Sequence, residues 1–175
     1  FGPRNLGAPD PEGAAAAALT AVGLNPGAFG PRSPFTLSGG EARRAAIAGA
    51  LAMGAPYLLL DEPTAGLDAR GRRDVLAAIE AERAKAGIVV VTHDPDEFLA
   101  SATRVLALEG GAPVFDGTVA DLTADPSDFE AAGLRLPDVV RTQVLARDRG
   151  ALLATVEFDA PAAARALLDA WRAGR

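Results

Sequence analysis

Two unbroken apolar runs, Tyr57-Leu58-Leu59-Leu60 and Ile88-Val89-Val90-Val91, stand out along the chain, each flanked by segments with helical spacing. Apolar runs without polar alternation predict short strands covered on both faces, as in a parallel sheet. The first run passes directly into Asp61-Glu62 and the second into Thr92-His93. Between them, Arg70 to Lys85 repeats Val75, Leu76 and Ile79 at helical intervals, and Gly87 closes the segment. Upstream, Glu41 to Met53 predicts a helix with Ile47, Ala50 and Leu51 on one face and Arg43 and Arg44 turned away; Gly54 and Pro56 stop it. A shorter helix is expected over Ala14 to Val22, after a Gly- and Pro-rich loop at 2–13, and Gly23 to Pro34 reads as irregular. Downstream, Asp94 is a candidate cap for a short helix over Pro95 to Ser101, and Arg104 to Leu108 and Ala112 to Phe115 flank Glu109-Gly110-Gly111 as a hairpin. Beyond Asp116 the pattern predicts a helix at Asp138 to Arg147, a strand at Leu152 to Phe158 and a helix at Ala162 to Arg172. Strand, helix, strand and hairpin together describe part of an α/β sheet.

Composition narrows the functional classes. The net charge is −6, from 17 Lys plus Arg against 23 Asp plus Glu, which disfavours a general grip on nucleic acid. No uncharged apolar run approaches the roughly 18 to 20 residues needed to cross a bilayer. Without cysteine there are no disulfides and no cysteine-ligated zinc, as suits a reducing compartment. Phe1 rather than Met opens the chain and no charged-then-apolar leader follows, so the start reads as a cut edge.

Chemistry is concentrated in three places. Ser38-Gly39-Gly40 opens a helix, where bare backbone admits an anion, the serine hydroxyl can donate, and the helix terminus is electropositive. Its plain alternative is a capped helix after a flexible loop. Asp61-Glu62 ends a buried-type strand, where one carboxylate can hold a Mg²⁺ hydration shell while the other polarises the water that attacks a terminal phosphate. His93, the sole histidine, follows the second strand and would be presented to the same crevice.

In their order along the chain, Leu37-Ser38-Gly39-Gly40-Glu41, Tyr57 to Pro63, Ala65-Gly66-Leu67-Asp68 and Thr92-His93-Asp94 resemble the signature motif, Walker B strand, D-loop and switch histidine of the ATP-binding-cassette (ABC) family. The likeness covers Phe1 to about Leu122 and is greatest to the ATPases of energy-coupling-factor importers. It implies the C-terminal part of a P-loop NTPase, with a mostly parallel sheet and a helical subdomain: a partial ATPase domain at 1–122 (signature subdomain about 1–54, core about 55–122) and a small extension at 123–175. It implies ATP and Mg²⁺ as cofactors, Asp61 at the metal, Glu62 as general base and His93 as the switch. Leu37, Ser38, Gly39, Gly40 and Glu41 would meet ATP held by a second ATPase subunit, identical or related, with Asp68 across that interface. The partners implied are that subunit and transmembrane transporter subunits, at the cytoplasmic face of the membrane.

Two departures qualify the resemblance. Glu41 stands where the family commonly has glutamine, adding negative charge that weakens nucleotide affinity unless Arg43 or Arg44 compensates. No Gly-x-x-x-x-Gly-Lys-Ser/Thr stretch occurs in the 175 residues, and Lys85 lies in a helical pattern, so the chain alone is expected to be inactive as an ATPase. Two other readings remain at this point: a non-catalytic assembly module that lends its signature face to a complete partner, and a cassette ATPase of DNA repair or translation.

Overall fold

The computed structural model describes residues 1–125, 127–131 and 133–173; residues 174 and 175 of the expected extension lie outside this range. The chain divides into two compact units, Phe1–His93 and Asp94–Arg175.

The first unit begins with three helices, α1 (Gly2–Asn5), α2 (Pro11–Ala21) and α3 (Pro26–Phe29). Proline at the first turn of each, where its missing N–H costs nothing, lets helix form inside segments whose Gly and Pro content predicted only loop. Asp10 starts α2 three residues before the expected Ala14 by accepting from the Gly13 amide at 2.8 Å. Helix α4 (Gly39–Ala52) follows, then β1 (Tyr57–Asp61), α5 (Ala69–Glu82) and β2 (Gly87–Val91). Strands β1 and β2 pair in parallel, Leu58 opposite Ile88 and Asp61 opposite Val91, as the two apolar runs predicted. The buried positions of this βαβ unit include Leu58 and Leu60 on β1 with Val75, Ala78 and Ile79 on α5. Only one face is covered, contrary to the expectation for these strands. Tyr57 and Leu59 are 73% and 74% exposed, and Val89 and Val91 share that open face.

The second unit contains the hairpin β3 (Val105–Glu109) and β4 (Ala112–Gly117), and the helices α6 (Val119–Ala124), α7 (Ser127–Ala131), α8 (Asp138–Asp148) and α9 (Ala160–Ala173). Gly110 and Gly111 at φ 56° and 83° supply the left-handed turn that the antiparallel pairing needs. Leu99, Ala107, Leu122, Leu136, Val140 and Val144 form one core, so the hairpin packs with the C-terminal helices. This compact boundary after His93 differs from the sequence boundary at 122. The strand expected at Leu152 to Phe158 is irregular. A buried side chain stands in for a neighbouring strand there: the Gln143 amide donates to the Glu157 carbonyl at 2.7 Å and accepts from the Glu157 N–H at 2.9 Å.

Candidate functional site

Because β1 and β2 run in parallel and in register, the residues that leave them emerge at one edge. Glu62 extends the ladder by one bond, its N–H donating to the Val91 carbonyl at 2.9 Å. Its backbone then turns to φ 48°, the only positive value at a non-glycine among the described residues. The carboxylate is thereby brought to the end of β2. It accepts from the His93 backbone N–H at 2.9 Å and from the Thr92 hydroxyl at 3.2 Å, and Oε1 lies 2.7 Å from His93 Nδ1. A carboxylate only accepts, so Nδ1 carries the proton of that bond. The His93 hydrogen bond, before the lesser contributions, holds the Glu62 carboxyl below the usual carboxylate range. Asp61 is exposed at the last position of β1.

The helical element is organised separately. Ser38 caps α4: its hydroxyl oxygen accepts from the Glu41 N–H at 3.3 Å, and its own N–H donates to Glu41 Oε2 at 2.8 Å. The Ser38 backbone bond, first among the causes, pulls the Glu41 carboxyl below its usual range. Among the arginines it is Arg32, 3.7 Å away, that chiefly balances Glu41, with Arg44 contributing less. Of the two arginines expected to compensate Glu41, Arg44 therefore does so in part. Arg43 donates to the Glu62 carbonyl, and Arg44 lies 3.4 Å and 3.5 Å from the carbonyls of Val22 and Gly23. Both arginines lean inward, not away, because Arg43 and Arg44 stand one turn before the buried Ile47 and Ala48.

Leu37 is half-buried, and Ser38 and Gly39 are exposed. A Cβ at Gly39 would meet nothing within 4 Å, whereas one at Gly40 would lie 3.7 Å from Leu67, so the glycine turn rests against the 65–68 loop. Asp68 caps α5 by accepting from the Gly71 N–H at 2.8 Å. An open groove of about 540 Å³ is lined by Gly39, Arg43, Ile47, Leu59, Asp61 and Pro63. The structure thus brings Glu62 to His93, Gly39 and Asp61 to one groove, and Gly40 to the loop before Asp68. Thr92, Arg32 and Arg43 are the members not singled out from sequence as site residues. Arg43 was detectable by its one-turn spacing to Ile47.

A βαβ unit with carboxylates at the carboxyl edge of its strands, beside a glycine-opened helix, places these groups where α/β sheets bind their ligands. The ABC transporter family model matches residues 8–65. The chain is 46% identical over 153 residues to the energy-coupling factor transporter ATP-binding protein EcfA2 of Symbiobacterium thermophilum, covering 86% of this chain and 53% of that protein. It is 38% identical over 173 residues to the EcfA2 of Clostridium perfringens, covering 97% and 61%. A bacterial Atm1-family ABC exporter solved with ATP bound matches with a TM-score of 0.55 and 25% identity, over 79% of this chain and 24% of that one. This chain is similar to ABC ATPases, and among them to the ATP-binding proteins of energy-coupling-factor transporters. It spans little more than half the length of the curated relatives it matches.

Proposed function

We propose that this chain supplies the water-activating edge and the signature turn of an ATP-hydrolysing subunit that drives an energy-coupling-factor transporter. The observation that carries the reading is the Glu62 carboxylate, ionised and aimed by Thr92 and His93 at the carboxyl edge of a parallel strand pair. The cassette portion extends in this reading to about Leu122, with 123–175 an appendage.

The residues present suit MgATP. Among the described residues no group of three or more His, Cys, Asp or Glu side chains forms a metal cage. A hard cation that keeps water and phosphate oxygens as ligands needs only a carboxylate such as exposed Asp61. The open space at Gly39, on the N-terminus of a 14-residue helix, suits close approach of a phosphate. When bound, MgATP supplies the phosphoryl group and the charge neutralisation that its transfer requires.

Asp61 would hold the metal through its hydration shell, and Glu62 would accept the proton of the attacking water. While paired with His93 the Glu62 carboxyl is held low and is a weak base. Were His93 to hold a phosphate oxygen of bound nucleotide instead, Glu62 would lose that partner and its basicity would rise. Leu37, Ser38, Gly39, Gly40 and Glu41 meet nucleotide held by a second ATPase subunit, identical or related, and Asp68 lies at the interface. Closing and reopening of the pair drives transmembrane partners. No helix among the described residues is long and apolar enough to cross a membrane; in this reading the transmembrane partners hold the subunit at the inner face.

The test is size-exclusion chromatography of the full ATPase subunit with ATP and Mg²⁺. Glu62→Gln, which cannot take the proton, is expected to hold the pair closed, while the parent returns to single subunits as ATP is consumed. A Glu62→Gln subunit that stays unpaired at saturating ATP contradicts the reading.

A further inference from the structure

The backbone of Glu62 is held from both sides. Its N–H is bound to the Val91 carbonyl, and its own carbonyl accepts from the Ala65 N–H at 3.2 Å and from the Arg43 guanidinium. A positive φ at a residue with a Cβ is strained and persists only where its surroundings over-determine it. Val91 and Ala65 belong to the strand pair and the loop that follows β1. Arg43 comes from elsewhere, from the second turn of α4, five residues after the Ser38 cap. Its guanidinium is partly buried, on the face shared with buried Ile47, and it lines the groove that also contains Gly39 and Asp61.

We propose that Arg43 is a positioning residue for the Glu62 carboxylate, holding the Glu62 carbonyl so that the place of the carboxylate depends on the place of helix α4. The inference rests on the reading of Glu62 as the general base. A displacement of the Ser38 to Gly40 turn moves the first turns of α4, and Arg43 passes that displacement to the peptide that aims Glu62 at His93. Contact at the signature face of a subunit therefore acts on the water-activating group of the same subunit.

Hydrogen exchange in the full protein reads this directly, because the His93 amide is protected by the Glu62 carboxylate rather than by the strand ladder. Arg43→Met, which removes the donor, is expected to speed His93 amide exchange about tenfold relative to the ladder amides of β1 and β2, while Arg43→Lys stays within about threefold of the parent. In steady-state hydrolysis Arg43→Met is expected to lower kcat about tenfold with KM for ATP changed less than about twofold, and Arg43→Lys to recover most of kcat. Unchanged His93 exchange in Arg43→Met overturns the inference, and so does an equal rise at every strand amide or a selective rise with unchanged kcat. Failure of the general-base reading is distinguishable: it shows as full turnover in Glu62→Gln, whatever Arg43 does. Loss of turnover in Glu62→Gln beside an inert Arg43→Met leaves the base and removes the positioning role.

Discussion

Nδ1 of His93 lies 2.7 Å from Oε1 of Glu62, although 31 positions separate the two residues in the chain. Parallel register produces that pairing. With Asp61 opposite Val91, the next residues of the two strands leave the sheet side by side. Position in sequence becomes position at an edge, and a carboxylate and an imidazole share it.

The signature turn is stabilised by its own reciprocal cap. Ser38→Ala removes the acceptor of the Glu41 N–H and is expected to cost about 1 kcal/mol, read as a lowered urea midpoint with an unchanged slope.

Glu41 gives that cap an acid dependence of defined sign. Its folded carboxyl titrates below the usual carboxylate range, chiefly through the Ser38 N–H. A group depressed on folding stabilises above its unfolded value and loses that contribution as pH falls through the folded one. Urea titrations from neutral to acid pH are therefore expected to show a steeper loss for the parent than for Glu41→Gln once the pH falls below the ordinary glutamate range.

The open face of the strand pair predicts the behaviour of residues 1–175 alone. Tyr57, Leu59, Val89 and Val91 present contiguous apolar surface, and surface of that kind promotes association. Leu59→Lys with Val89→Thr is expected to reduce light scattering and hydrophobic dye binding severalfold. The same 175 residues, lacking a Gly-x-x-x-x-Gly-Lys-Ser/Thr stretch, are expected to show no Mg²⁺-dependent ATP turnover.

In the second unit, fully buried Gln143 satisfies both backbone groups of Glu157. Gln143→Leu strips those partners and is expected to destabilise the unit by about 1 to 3 kcal/mol by chemical unfolding, leaving His93 amide exchange unchanged.

Much of this arrangement was legible in the residues. The runs at Leu58 and Val89 are contiguous, begin after Pro56 and Gly87 and end in polar residues, so strand type and parallel pairing follow from pattern. The Ser38 cap and its Glu41 partner follow from a three-residue spacing. Other features depend on contacts that periodicity does not encode. Arg32 reaches Glu41 from an irregular loop, and the φ of Glu62 reflects bonds to Val91, Ala65 and Arg43. A strand over Leu152 to Phe158 failed to form because its partner is one glutamine side chain. Arg43 and Arg44 were read as outward by their charge, yet their spacing to Ile47 and Ala48 carried the contrary signal.

The most direct test of the account is single-turnover ATP hydrolysis by the full ATPase subunit, with ATP binding measured in parallel for Glu62→Gln. Loss of a general base is expected to slow the chemical step by about 10² to 10⁴ while nucleotide affinity stays near the parent's. Hydrolysis by Glu62→Gln at a rate within about threefold of the parent would contradict the role assigned to the carboxylate at the end of β1.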